Sequence, residues 1–196
     1  MSEKQEFQES VINNLQSLLS ENFTINNSET QSLAAWTTLS MQILEAEKSL
    51  QFSEKFKRED EFSNYEDFVL SHALFKNGIL AYAKCFSTSG KGKVSLDAKQ
   101  LFKDHPELKT IHESIMEIRN TYVAHNDDNN YEMAIVLSKE ENDEIILSQT
   151  ITFRNPIANY SKYYELFDFC SESLVLKING KADKIEKRIG KKIKFK

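Results

Sequence analysis

The chain has 196 residues, enough for one domain with a sizeable core; 40% of them are hydrophobic and 28% charged, as in ordinary soluble proteins. The net charge of −5 argues against a broad polyanion binder. No apolar run approaches the ~20 residues that span a bilayer, and the polar start lacks the features of a signal peptide. We therefore expect a cytoplasmic protein without membrane contact.

Long helices are predicted for most of the chain, because only 2 Pro and 5 Gly interrupt it. In four segments the apolar residues recur every three or four positions, which is typical of amphipathic helices. These segments are residues 1–22, 28–56, 63–86 and 106–125.

Three residues predict where helices begin. Ser63, with Glu66 three positions later, forms a capping box before the third helix. Ser95 is expected to cap a short helix that runs through Phe102. Pro106 fits the first turn of the next helix, where its missing N–H costs little.

The pattern changes after residue 130. Residues 133–138 and 145–153 are short, apolar and rich in β-branched side chains, and residues 140–143 lie between them as a turn. This predicts a β-hairpin, which is marginal alone and should pack on the helices or on a second subunit. Pro156 then opens a last helix, which we expect residues 179–180 to break.

Arg119, Asn120 and His125 lie at the end of the fourth amphipathic segment. Their chemistry suits metal-independent RNA cleavage: histidine transfers protons near neutral pH, arginine binds phosphate with a permanent charge, and an amide can orient either group. The alternative is structural, since cations near a helix C-terminus also stabilise the helix dipole.

The spacing of Arg119 and His125 raises a geometric question. Six positions on an ideal helix turn ~600°, which leaves the two side chains ~120° apart. They can meet if the helix ends or bends before His125, or if Arg119 reaches round the surface. The polar run at 126–130 favours the first alternative.

The Arg-Asn pair and the following histidine resemble the motif of the HEPN family, named for a nucleotide-binding domain of higher eukaryotes and prokaryotes. The helix at 75–86, which ends in Cys85-Phe86 before a Gly/Lys loop, is similar to uncharacterised bacterial and abortive-infection-like members. The resemblance covers about residues 28–129. It implies a mainly α fold: an antiparallel helical bundle with one β-hairpin inserted before the C-terminal helix.

The chain is accordingly interpreted as one helical domain over 1–196. Its parts would be a HEPN-like core at 28–129, the hairpin at 133–153, and a C-terminal helix with a basic end at 156–196. From residue 177 to the end there are nine Lys/Arg and two Asp/Glu, a local balance of +7. This end is either a solvated helix or a contact for nucleic acid.

The resemblance also implies a function. It predicts an endoribonuclease of a toxin or phage-defence system that uses Arg119 and His125 as its catalytic pair, supported by Asn120. RNA, a second copy in a homodimer, and an antitoxin or other regulatory protein are the implied partners. The alternative is a non-catalytic HEPN-like module that binds RNA or a protein.

Weaker candidates for RNA contact surround the motif. Tyr122 lies within it but also on the core stripe, and His112 lies seven residues before Arg119, where packing is an equal alternative. Lys91 and Lys93 belong to a Gly/Lys loop that is either a phosphate contact or a plain linker.

No metal or cofactor is predicted. The histidines and cysteines lack zinc-ligand spacing, and no nucleotide-binding glycine pattern is present. Cys85 and Cys170 fall in apolar patterns and are expected to be buried free thiols.

Overall fold

The computed structural model describes residues 2–19, 28–56, 65–87, 94–123, 131–153 and 160–195. In this part the chain is mainly helical, with one two-stranded antiparallel sheet before the last helix, which confirms the predicted mainly α class with a hairpin. The helices are α1 (Glu3–Leu19), α2 (Ser28–Phe56), α3 (Tyr65–Phe86), α4 (Ala98–Leu101), α5 (Pro106–Ile118) and α6 (Tyr160–Ile189), and the strands are β1 (Glu132–Glu141) and β2 (Glu144–Phe153).

The helices α2 and α3 pack closely along their length. Gly78 of α3 lies against α2, where an added Cβ would come within 2.9 Å of Leu50 and 3.1 Å of the Ala46 carbonyl oxygen. The two helices are also joined by reciprocal hydrogen bonds of 2.9 Å from each hydroxyl of Ser53 and Ser71 to the other's backbone carbonyl. These contacts fix α3 firmly on α2.

The core forms where α3, α5 and α6 meet around the α2–α3 pair. The predicted apolar stripes supply it, and the two cysteines are buried free thiols as expected. The largest fully buried side chains are Tyr82, Phe102, Phe167, Ile43, Leu50, Ile79, Ile115, Leu166 and Leu174.

The first helix is confirmed, but the described members of its apolar stripe are not buried. Phe7, Val11 and Leu15 of α1 are 69%, 39% and 49% exposed. The spacing predicted a helix with an apolar face. It could not predict what packs on that face, because periodicity depends only on the residues of the helix itself.

Two predicted helix boundaries are wrong. Asp97, and not Ser95, caps α4, because its carboxylate accepts hydrogen bonds from the backbone N–H groups of Lys99 and Gln100 at 2.9 and 3.2 Å. The last helix continues through Gly180 and ends at Ile189.

Gly190 is the glycine that terminates α6. It has φ +67, and its N–H donates to the Glu186 carbonyl at 2.8 Å. A glycine inside a helix costs about 1 kcal/mol relative to alanine, which the packing of α6 overcomes at Gly180. The predicted helix starts at Ser63 and at Pro156 lie outside the described residues. Pro106 opens α5 as predicted.

The hairpin is longer and its turn tighter than predicted. Glu140 and Glu141 belong to β1, and the turn is made by Asn142 and Asp143 alone. Both have positive φ, 50 and 66, which matches the twist of a two-residue hairpin turn. The side chains described in the two strands are exposed on both faces, except that Ile135 is half-buried.

Candidate functional site

The motif begins where the α-helix ends. After Ile118 the chain forms one π-helical turn, Arg119–Val123, which we call the π-turn. Its i→i+5 hydrogen bonds are wider than those of an α-helix, so the 100° step per residue no longer applies. The α-helix therefore ends before His125, as the first geometric alternative requires, but His125 itself lies outside the described residues, so its approach to Arg119 stays a prediction. Turns of this kind are frequent at functional sites.

Arg119 and Asn120 are joined side chain to side chain. Nη1 of Arg119 donates to Oδ1 of Asn120 at 2.8 Å. Within the described ranges, no carboxylate lies at ion-pair distance from this guanidinium. Arg119 is half-buried and Asn120 exposed, so the pair presents amide N–H donors and a cation that no carboxylate among the described residues neutralises.

Tyr122 anchors the π-turn to α3. It is only 5% exposed, and its hydroxyl is hydrogen-bonded to Nε2 of His72. The ring of His72 is in turn stacked on Phe68, with centroids 5.9 Å apart. Sequence analysis placed Tyr122 between core and RNA contact; its burial leaves no face for stacking on a base.

A second cation lies over Tyr122. Nζ of Lys76 is 5.0 Å from the centroid of the Tyr122 ring, in cation–π geometry. Lys76 follows His72 by four residues on α3, so both side chains face the π-turn. Among the contacts of the described residues, Lys76 has no carboxylate partner.

The side chain of His112 lies in the core and not beside Arg119 and Asn120. It is 8% exposed, its Nδ1 is hydrogen-bonded to the Tyr82 hydroxyl at 2.9 Å, and the Phe86 ring lies 4.4 Å away. Burial lowers the pKa of His112 and raises that of Tyr82. Of the two interpretations left open for His112, packing explains these contacts.

Three of the predicted residues, His125, Lys91 and Lys93, lie outside the described residues. The residues that sequence reasoning missed are His72 and Lys76. The sequence feature that could have identified them is their i,i+4 spacing on α3. However, a histidine on an apolar stripe is interpreted first as a core residue. Its partner Tyr122 is fifty positions away in sequence, and no local pattern links the two.

Comparison with protein-family models, with curated proteins and with solved structures gave no match. Across the described ranges, no helix has the length and apolar character required to cross a bilayer. The same part of the chain contains no group of three or more metal-ligating side chains.

Proposed function

We propose that this protein cuts RNA without a metal ion, as a HEPN-like endoribonuclease of a toxin or defence system. The observation that supports this is the Arg119–Asn120 pair at the π-turn. A guanidinium that has an amide partner but no described carboxylate is suited to bind a phosphate, because neutralisation by a local acid would remove its charge.

Each residue then has one task. Arg119 binds the scissile phosphate and stabilises the charge that grows on its oxygens. Asn120 orients the guanidinium through its carbonyl oxygen and donates its amide N–H groups to the same phosphate. His125 transfers the protons, taking one from the 2′-hydroxyl or giving one to the leaving oxygen; this role follows from the resemblance.

The reaction would be an internal transfer at phosphorus. The RNA's own 2′-oxygen attacks, its proton leaves to a base, and the 5′-oxygen departs with a proton from an acid. No cofactor is needed for this balance. If two copies place their motifs in one cleft, as the resemblance implies, two histidines can serve as the base and the acid.

The test is RNA cleavage in EDTA by purified wild type and by His125→Ala, Arg119→Ala and Asn120→Ala. We expect His125→Ala and Arg119→Ala to lower the rate by at least a factor of about 10³, and Asn120→Ala by about tenfold. Arg119→Lys should cleave RNA little faster than Arg119→Ala, because the lysine ammonium lacks the planar, two-pronged donor geometry of a guanidinium.

The matched controls change exposed residues away from the π-turn. His105→Ala removes a histidine at the start of α5, and Lys109→Ala removes a cation on the same helix. Both should cleave like wild type, and circular dichroism should show every variant folded. Full cleavage by folded His125→Ala, or equal losses in the controls, would exclude this mechanism.

A second function is supported by the basic end of the chain, which comprises the last turns of α6 and the residues that follow it. The lysines at 181, 184, 187, 191, 192 and 194 are all exposed. A non-catalytic module that binds RNA through this basic end would show affinity that falls steeply with salt, and no cleavage. Binding that survives at high salt would contradict this alternative.

A further inference from the structure

The side of α6 that packs on the bundle changes along the helix. In the first half this side is apolar and buried, as at Cys170 and Leu174. Beyond Leu174 the same side continues, at spacings of three and four residues, as a row of exposed cations that we call the basic stripe: Lys177, Lys181, Lys184 and Arg188. The basic stripe therefore takes the place that apolar residues would occupy in a longer bundle.

Few acidic groups offset the charge at this end of α6. Among the described residues, no carboxylate lies at ion-pair distance from Lys181 or Lys184. Glu186 accepts a hydrogen bond of 2.6 Å from the backbone N–H of Ile193. That bond holds the chain after Gly190 beside the end of the helix, and this tail contributes three further exposed lysines.

The rest of the chain has the opposite charge. The net charge is −5 overall and +7 from residue 177 onwards, so residues 1–176 carry −12. At the π-turn the structure places the cations Arg119 and Lys76. These two groups, on a strongly negative part of the chain, attract a polyanion weakly, whereas a cluster of cations draws it in and holds it.

Contacts with α2 show that the π-turn is level with the start of α6. The hydroxyl of Ser71 on α3 donates to the Ser53 carbonyl at 2.9 Å, and the hydroxyl of Tyr164 on α6 donates to Glu54 at 2.8 Å. Ser71 and Tyr164 therefore lie at the same height along α2. The residue that follows Ser71 is the histidine that anchors the π-turn.

The basic stripe lies towards the other end of the bundle. Nζ of Lys177 is 5.0 Å from the ring centroid of Trp36, in the first half of α2, so α6 runs antiparallel to α2 and away from the π-turn. An α-helix rises about 1.5 Å per residue, which puts Lys181 and Lys184 about 26 and 30 Å beyond Tyr164.

Between these two ends the outer side of α6 is acidic. Glu165, Asp168 and Glu172 are exposed and recur at spacings of three and four residues, which places them on one side of the helix. Carboxylates repel a phosphate backbone, so an RNA strand should contact the protein at the two cationic ends and not along this side.

We propose that the basic stripe holds the RNA that is cut at the π-turn, so that one strand contacts both sites. This rests on the proposed function, in which the π-turn binds the scissile phosphate. A strand of a duplex advances about 3.4 Å per nucleotide, so a separation of about 30 Å corresponds to about nine nucleotides. The substrate is therefore an RNA longer than this, because a shorter one gains only one of the two contacts.

Binding without cleavage is the first test. Fluorescein-labelled 2′-O-methyl oligouridylates of four and twenty-four nucleotides lack the attacking hydroxyl and cannot be cut. By fluorescence anisotropy, the longer one should bind wild type at least about tenfold more tightly. Lys181→Gln with Lys184→Gln, which we call the stripe variant, and separately Arg119→Ala should each remove most of this gain. The stripe variant should also make the slope of log affinity against log salt shallower by about 2.

The matched control is Lys99→Gln with Lys103→Gln, which removes two exposed lysines outside both sites and should bind both probes like wild type. Circular dichroism should show every variant folded. Unchanged affinity of the stripe variant or of Arg119→Ala for the longer probe, or equal affinity of wild type for both probes, would overturn the proposal. If wild type binds as expected but cuts no RNA, the proposed cleavage fails and the two-site contact stands.

Cleavage kinetics then separate holding from chemistry. On an RNA of twenty-four nucleotides the stripe variant should raise KM at least about tenfold and leave kcat unchanged, because its lysines do not touch the reacting atoms. On an RNA of six nucleotides it should cut like wild type. A loss confined to kcat, or an equal loss on both RNAs, would contradict a holding role.

Discussion

Two histidine–tyrosine pairs join α3 to the α5 helix and its π-turn, and they lie in different surroundings. His112 and Tyr82 are both buried, enclosed by aromatic rings. His72 and Tyr122 are hydrogen-bonded at the edge of the bundle, where Tyr122 is buried and His72 is only half-buried. The same chemical pair therefore serves as core packing in one place and as an anchor of the motif in the other.

Because their surroundings differ, the two pairs should affect different properties of the protein. The rings that enclose the buried pair, Phe86, Phe102 and Phe167, make no described ring contact with Tyr122 of the π-turn, so loss of this pair should act on the free energy of unfolding. The outer pair holds the turn that carries Arg119 and Asn120, so its loss should act on the position of those two groups.

Truncation of the buried histidine should have the largest effect. His112→Ala leaves a cavity and a Tyr82 hydroxyl without its partner, and we expect a loss of about 3 kcal/mol in the free energy of unfolding. His72→Ala, at a half-buried site, should lose about 1 kcal/mol. Urea denaturation followed by circular dichroism measures both. Equal losses would mean that the two pairs do not differ in the way described.

The outer pair should control the motif. His72→Ala and Tyr122→Phe should each lower the rate of RNA cleavage about tenfold, and the double variant should be no worse than either, because both break one hydrogen bond. Hydrogen exchange at residues 119–123 should speed up in each, which tests the anchor independently of activity.

Tyr82→Phe is the matched control for this experiment. It removes the same hydroxyl from the buried pair, and it should lower stability without changing the cleavage rate of the folded protein. A strictly additive double variant, or unchanged exchange at the π-turn, would contradict the anchoring role.

The buried pair should also make stability depend on pH. Burial lowers the pKa of His112 in the folded protein, so the unfolded chain, with a histidine pKa of about 6.5, takes up a proton first as the pH falls. The free energy of unfolding should therefore fall as pH decreases below that value and recover as pH rises.

Urea midpoints measured from pH 7.5 down to pH 5.5 test this dependence. His112→Gln keeps a hydrogen-bonding side chain but cannot titrate, and its curve should be flatter than that of wild type over this range. Parallel curves would show that His112 does not contribute to the pH dependence.

The smallest effect concerns Lys76, which lies over the ring of Tyr122. Lys76→Met keeps the apolar stem and removes one charge, so the slope of log affinity for RNA against log salt should become shallower by about 1. Lys109→Met removes an exposed cation from the first turns of α5 and should leave the slope unchanged. An unchanged slope in Lys76→Met would place this lysine outside the RNA contact.

Sequence patterns predicted what depends on short-range regularity. The helical stripes, the entry of α5 at Pro106 and the hairpin follow from spacing, and the structure contains them. Tyr122 was assigned to the core stripe by its position, and it is buried. The catalytic assignment of Arg119, Asn120 and His125 stays a prediction that rests on the resemblance and on the chemistry of the side chains.

The features that could not be predicted depend on contacts between residues distant in sequence, or on which of two similar residues takes a structural role. Gly180 and Gly190 are both glycines in a basic segment, but the helix ends only at the second. The buried Ala182 keeps the chain helical beyond Gly180, and this tertiary contact is invisible to propensity. The π-turn could not be predicted either, because a change from i→i+4 to i→i+5 hydrogen bonding does not alter the spacing of apolar residues in the sequence.

The close packing of α2 and α3 at Gly78 limits the movement of the α3 side chains in the candidate site. Because an added Cβ at position 78 would come within 2.9 Å of Leu50 and 3.1 Å of the Ala46 carbonyl oxygen, we expect α2 and α3 to move together, with His72 and Lys76 on their packed pair. Arg119 and Asn120 sit on the π-turn, which is tied to that packed pair through Tyr122. If the π-turn binds phosphate as proposed, we expect it to adjust by rotating about the buried ring of Tyr122, while α3 keeps its position.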